Sequence, residues 1–172
     1  MYRHVGHLYV RPCLDLSIRH RHARGNAVAL AIHPVDRAEM SQSIQLVWKG
    51  DFRFDGTARG GTVTSIDGNA AAGTTPVDLL LQSVGACAAI DVVDILKKSR
   101  QEVQGMAVEV EATRREEPPR HVKRLDFRFR IKGPVDQGKA ERAVDLSLEK
   151  YCSVFHTLRM DINLDVEVKV ID

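Results

Sequence analysis

The run T-T-P-V-D-L-L-L-Q-S-V-G-A-C-A-A-I-D-V-V-D-I-L, Thr74 to Leu96, constrains the fold more than any other part of the chain. Thr75 is placed to cap a helix, Pro76 suits the first helical position, and Asp78 stands three residues past the cap, near the positive end of the dipole. From Val77 to Leu96 the segment is apolar nearly all round, broken by Gln82, Ser83, Asp91 and Asp94. A helix with so little polar surface needs cover on several sides, so the segment predicts a buried central helix. Gly85 lies in its middle, followed by Ala86, Cys87, Ala88 and Ala89. Glycine there costs about 1 kcal/mol relative to alanine, which predicts a close packing contact at that point. Lys97, Lys98 and Arg100 form a basic last turn.

The flanking sequence reads mainly as strands. Ile44, Leu46 and Trp48 alternate, Gly50-Asp51 suits a turn, and the pattern resumes over residues 52–55. A glycine-rich stretch follows, with a short strand expected over residues 62–66. After the helix, Val108, Val110 and Ala112 alternate with Glu109, Glu111 and Thr113. Leu125, Phe127, Phe129 and Ile131 alternate with Arg124, Asp126, Arg128 and Arg130 in a longer strand. Residues 136–151 carry a helical period, with Ala140, Ala143, Val144, Ser147, Leu148 and Tyr151 on one face. Leu164, Val166, Val168 and Val170 close the chain as a strand. The order predicts an α+β domain with mostly antiparallel pairing.

Composition narrows the function classes. At 44% hydrophobic and 28% charged, 172 residues suit one globular core rather than a disordered chain. A net charge of +2 gives no electrostatic footprint for nucleic acid, so no nucleic-acid partner is expected. No charge-free apolar run reaches about 18 residues, so no membrane partner is expected either. No GxxxxGK[ST] or GxGxxG occurs, which leaves nucleotide binding without a motif. Three cysteines do not make a disulfide framework and favour a cytoplasmic setting.

Residues 1–42 stand apart. They hold six Arg against three Asp or Glu, and five of the seven His, with no sustained period. A flexible extension, an arm packed on the core, and translation starting near Met40 are all open readings. His20-Arg21-His22 lacks further ligands nearby and reads as a solvated basic tract.

Cys87 and Cys152 are the residues with the most chemistry to offer. Each also fits as a small buried hydrophobe. A thiol becomes a nucleophile where a positive group or a hydrogen bond stabilises its thiolate, and periodicity names no such group. Asp91 and Asp94 read as structural groups that bond neighbouring side chains or line a dimer interface, Arg114, Arg115, Glu116 and Glu117 as a solvated charge run. His156, four residues past Cys152, and more weakly Glu149 are candidate bases for that thiol, with an ordinary surface group as the plainer reading of each.

Three segments in order carry a family resemblance: Thr74–Leu96, T-R-R-E-E-P-P-R (Thr113–Arg120) and R-A-V-D-L-S-L-E-K-Y-C-S-V (Arg142–Val154). Together with D-V-V-D-I-L-K-K-S-R-Q-E-V they resemble the OsmC/Ohr family of hydroperoxide-reducing proteins, and most nearly its YhfA-type branch. The resemblance spans residues 43–172 and leaves residues 1–42 outside. It implies an intertwined homodimer built on a long buried helix. It gives Cys87 the role of peroxidatic cysteine and Cys152 that of resolving cysteine. The partners it implies are an organic hydroperoxide and an external dithiol reductant, with no metal and no bound cofactor. Family members place an acid directly after the helix-starting proline, orienting an arginine toward the thiolate. Here Val77 holds that position and Asp78 lies about 100° further round the helix. Arg53 and Arg59 are the arginines available before the helix. A protein of the same fold that binds a small apolar or thiol-reactive ligand without turnover is the alternative, and a module with both cysteines as core filler is a third.

Overall fold

A computed structural model describes residues 42–171. The basic N-terminal segment, with Cys13, the His20-Arg21-His22 tract and Met40, lies outside these residues. Within the described chain, β1 (Gln45–Trp48), β2 (Arg53–Thr57) and β3 (Val63–Asp67) form one antiparallel sheet in sequential order. Helix α1 (Pro76–Lys98) follows. A second sheet holds β4 (Gly105–Arg114), β5 (Val122–Lys132) and β6 (Asn163–Ile171), with β5 in the centre. Between β5 and β6 run α2 (Gln137–Leu146), a π-helical turn (Ser147–Tyr151) and the short α3 (Ser153–His156).

The sequence signals at the start of α1 act as expected. The Thr75 hydroxyl accepts the Asp78 amide at 3.2 Å and donates to the Asp78 carboxylate at 2.6 Å, the reciprocal arrangement that closes a helix start. The other end differs from expectation. Lys97 and Lys98 lie in the last turn, but Arg100 sits past it with φ of 58°. The amides of Arg100 and Gln101 reach back to the carbonyls of Lys97 and Leu96, a Schellman closure. That left-handed position suits glycine, and here arginine occupies it.

The core lies between one face of α1, one face of the second sheet, and α2. Val84, Ala88, Val92 and Leu96 recur every four residues along α1 and are fully buried. They join Leu125, Phe127, Phe129 and Ile131 of β5 and Ala140, Ala143 and Val144 of α2. The charged residues alternating with the β5 core set face outward. There Arg128 lies 3.6 Å from Glu109 and Glu111 and 3.9 Å from Glu167, on the two neighbouring strands. Gly85 has the packing reason expected: a Cβ built there would stand 2.9 Å from the Val110 Cγ2 methyl of β4.

The mostly antiparallel pairing holds: three of the four strand pairs among the described residues are antiparallel, and β5–β6 is parallel because a helical crossover joins the two strands. One expectation is corrected: α1 is central but covered on one side only, with Leu80 and Ile90 37% and 69% exposed. The helix is long and apolar enough by composition to cross a membrane, yet one of its faces is committed to this core. The first sheet and its β1–β2 turn are likewise rich in exposed apolar side chains: Leu46, Trp48 and Val63 on the strands and Phe52 in the turn.

Candidate functional site

Cys87 and Cys152, 65 residues apart in sequence, are brought to one place. Their sulfurs and a carboxylate oxygen of Asp91 all lie within 4.8 Å of one another. Both thiols are free. Cys87 and Asp91 are four residues apart on α1 and therefore share a face. Cys87 is half-buried and Cys152 is fully buried.

The π-helical turn sets the position of Cys152. In an α-helix, residues five apart differ by 500°, so Ser147 and Cys152 would point about 140° away from each other. The i to i+5 hydrogen bond from the Cys152 amide to the Ser147 carbonyl, 2.8 Å, stacks them along the axis instead. Both then face α1. The buried Ser147 hydroxyl lies 3.1 Å from Asp91 Oδ2 and 3.3 Å from the Ala88 carbonyl, bonding α2's extension to α1 across the site. The Cys152 thiol makes a long contact, 3.9 Å, to the Val84 carbonyl.

The surroundings of Cys152 favour the neutral thiol. Burial pushes its pKa up to about 11, and proximity to Cys87 and the Asp91 carboxylate acts in the same direction, against a smaller opposing contribution from the Phe155 backbone. At pH 8 roughly one in a thousand such thiols is ionised. Alkylation of Cys152 in the reduced, metal-free protein should therefore rise about tenfold per pH unit from pH 8 to beyond pH 10. Peptide mass spectrometry after timed iodoacetamide pulses measures this, and a plateau by pH 9 would contradict the burial effect.

The remaining candidates lie elsewhere. Asp78 belongs to the helix cap, nine residues and about 13 Å along α1 from Cys87. Arg53 is on β2 opposite Asp67, and Arg59 is in the connection from β2 to β3. Among the described residues, neither arginine is hydrogen-bonded or salt-bridged to Cys87, Cys152 or Asp91. The His156 ring packs edge-on against Phe155, and Glu149 is exposed. Asp94 binds Lys98 on the surface at 2.6 Å, and Arg115 pairs with Glu117 at 2.9 Å beyond the end of β4.

Asp91 bonds a neighbouring side chain, Ser147, as the sequence predicts, but sequence reasoning placed neither residue beside the thiols. The four-residue spacing of Cys87 and Asp91 was the available signal for one of them. The other depends on the π-helical turn. On another face of α1, Leu81, Gly85, Ala89, Ile90, Val108 and Val110 line an open apolar groove of about 890 Å³ against β4.

The fold and the paired thiols define a class: a small α+β domain holding a dithiol between a central helix and the helical crossover of its larger sheet. The family model described as "OsmC-like protein" matches residues 67–167. Protein YhfA of Escherichia coli K12 is 36% identical over 126 residues, covering 72% of this chain and 94% of that protein. A hypothetical protein from Aquifex aeolicus VF5 is similar in structure, with 31% identity and a TM-score of 0.72, covering 77% of this chain and 98% of that one. The organic hydroperoxide resistance protein OhrB of Bacillus subtilis shares the fold at 20% identity and a TM-score of 0.53, covering 74% and 98%. The chain belongs to the OsmC-like family.

Proposed function

We propose that this protein is a cytoplasmic thiol peroxidase that reduces organic hydroperoxides in oxidative stress defence, using Cys87 and Cys152. The observation that supports this most is the convergence of the two sulfurs, one half-exposed and one buried, within 4.8 Å. In the proposed reaction the Cys87 thiolate attacks the distal oxygen of the hydroperoxide. The O–O bond breaks, the alkoxide leaves and takes a proton to become the alcohol, and Cys87 becomes a sulfenic acid. Cys152 condenses with it, releasing water and forming the Cys87–Cys152 disulfide. An external dithiol then restores both thiols by exchange. Cumene hydroperoxide should remove two thiols per chain from the reduced protein, and a dithiol should return them. An unchanged thiol count at moderate excess would overturn the reading.

The working unit in this reading is a homodimer. Ile90 and Leu80 on α1, and the apolar side chains of the first sheet, leave surface that a second copy would cover. Sedimentation velocity should give twice the chain mass, and a monomer at micromolar concentration would refute it.

A second reading draws support from Asp91. A carboxylate beside the thiols repels a thiolate, the reverse of what peroxide attack needs. A non-enzymatic protein using the apolar groove for a small hydrophobic ligand accommodates that. Such a protein would bind the ligand without any change in its thiol count.

A further inference from the structure

The group that needs explaining is Asp91. Its carboxylate sits within 4.8 Å of two sulfurs, and among the described residues no lysine, arginine or histidine forms a salt bridge with it. Its hydrogen-bond partner is the buried Ser147 hydroxyl, which orients Oδ2 at 3.1 Å. Three ligating atoms of two chemical kinds thus converge from α1 and from the residue following the π-helical turn. In ionised form they would carry three like charges into a half-buried space. A divalent cation is the partner that makes such a cluster favourable.

We propose that the reduced protein binds one thiophilic divalent cation, of the zinc class, through Cys87 Sγ, Cys152 Sγ and an Asp91 carboxylate oxygen. Two sulfurs select a borderline or soft metal over magnesium or calcium, and carboxylate oxygen is an ordinary third ligand for zinc. Around a tetrahedral zinc ion, such ligand atoms stand about 3.6–3.8 Å apart. Contraction from separations of up to 4.8 Å asks each side chain to move by about half an ångström. The Ser147 hydroxyl supplies the outer hydrogen bond that ligating carboxylates commonly have. Binding is a proton exchange without oxidation: the ion enters, both thiols lose their protons to solvent, and two metal–sulfur bonds form. Three protein ligands leave a fourth position open to water. The oxidised disulfide has no thiolate to offer, so metal and disulfide exclude each other. The proposal does not depend on peroxide reduction.

Cobalt(II) is the probe, added to the full chain kept reduced with a phosphine. One cobalt per chain should bind, with sulfur-to-cobalt charge-transfer absorption and the visible bands of a tetrahedral ion, and zinc should displace it. Cys87→Ala removes one of the two sulfurs and should weaken cobalt uptake and at least halve the sulfur absorption per bound ion. Asp91→Asn, which keeps the volume and the fold, should weaken binding at least about tenfold, the loss that even outer-shell partners cause. Absence of sulfur-to-cobalt absorption in the unaltered chain would overturn the proposal. So would uptake unchanged by Cys87→Ala, which would place the ion on histidines, or affinity unchanged by Asp91→Asn. Peroxide consumption assayed separately on chelator-treated protein keeps failure of the metal site distinct from failure of the peroxidase reading.

Discussion

Cys87→Ser should reduce hydroperoxide turnover by roughly a thousandfold or more, as expected when the nucleophile of a covalent mechanism is removed. The oxygen of serine replaces sulfur at almost the same volume, so the fold should persist and the loss should be chemical. Cys152→Ser separates the two thiols further. It leaves Cys87 able to accept one oxygen but removes the thiol that condenses with the sulfenic acid. That variant should complete a single turnover and then hold a sulfenic acid that dimedone labels on Cys87. Equal turnover in the Cys87→Ser variant and the unaltered chain would refute the mechanism, because the other described thiol at this site, Cys152, is buried and held in its neutral form. Coupled consumption of cumene hydroperoxide and a dithiol reads both effects.

Phe127→Ala should cost about 3–5 kcal/mol of stability, a large part of the roughly 5–15 kcal/mol that a domain of this kind has. Phe127 lies at the middle of β5, the central strand of the larger sheet, and is 1% exposed. Its ring stacks on that of Phe129 with centroids 6.0 Å apart. Strands on both sides pin the backbone, so a vacated volume cannot easily collapse. The denaturant midpoint should fall with little change in slope. A loss under about 1 kcal/mol would mean the core repacks freely around the vacated volume, contrary to its seat between two paired strands. Turnover per folded molecule should change far less than in Cys87→Ser, which distinguishes scaffold from chemistry.

Local signals carried much of the fold. Thr75, Pro76 and Asp78 mark the start of α1 because a cap is satisfied within three residues of chain. The Leu125 to Ile131 alternation marks β5 and its inward face because a strand's side chains alternate whatever lies beyond them. The features that sequence did not disclose depend on distant partners. The parallel seat of β6 follows from the return of the crossover across the sheet. The left-handed Arg100 follows from the Schellman bonds, with no glycine to mark it.

The site was legible to a similar degree. Cys87 and Cys152 stood out by residue type and by family resemblance, but their meeting depends on the wide turn from Ser147 to Tyr151, where the apolar period continues as if the helix were regular. Asp91 looked like an ordinary structural carboxylate, and its place beside both sulfurs emerges only when α1 and that turn are set against each other. Arg53 and Arg59 were drawn from their position before the helix. Position along the chain does not determine whether a residue of the first sheet comes to the thiols.

The most direct test of the account is the linkage formed when the reduced chain meets one equivalent of an organic hydroperoxide. Non-reducing peptide mapping should recover a single cross-linked pair, the peptide containing Cys87 joined to the peptide containing Cys152, in the monomer-sized band on a denaturing gel. Full peroxide exposure that leaves both peptides separate and their thiols intact would contradict it.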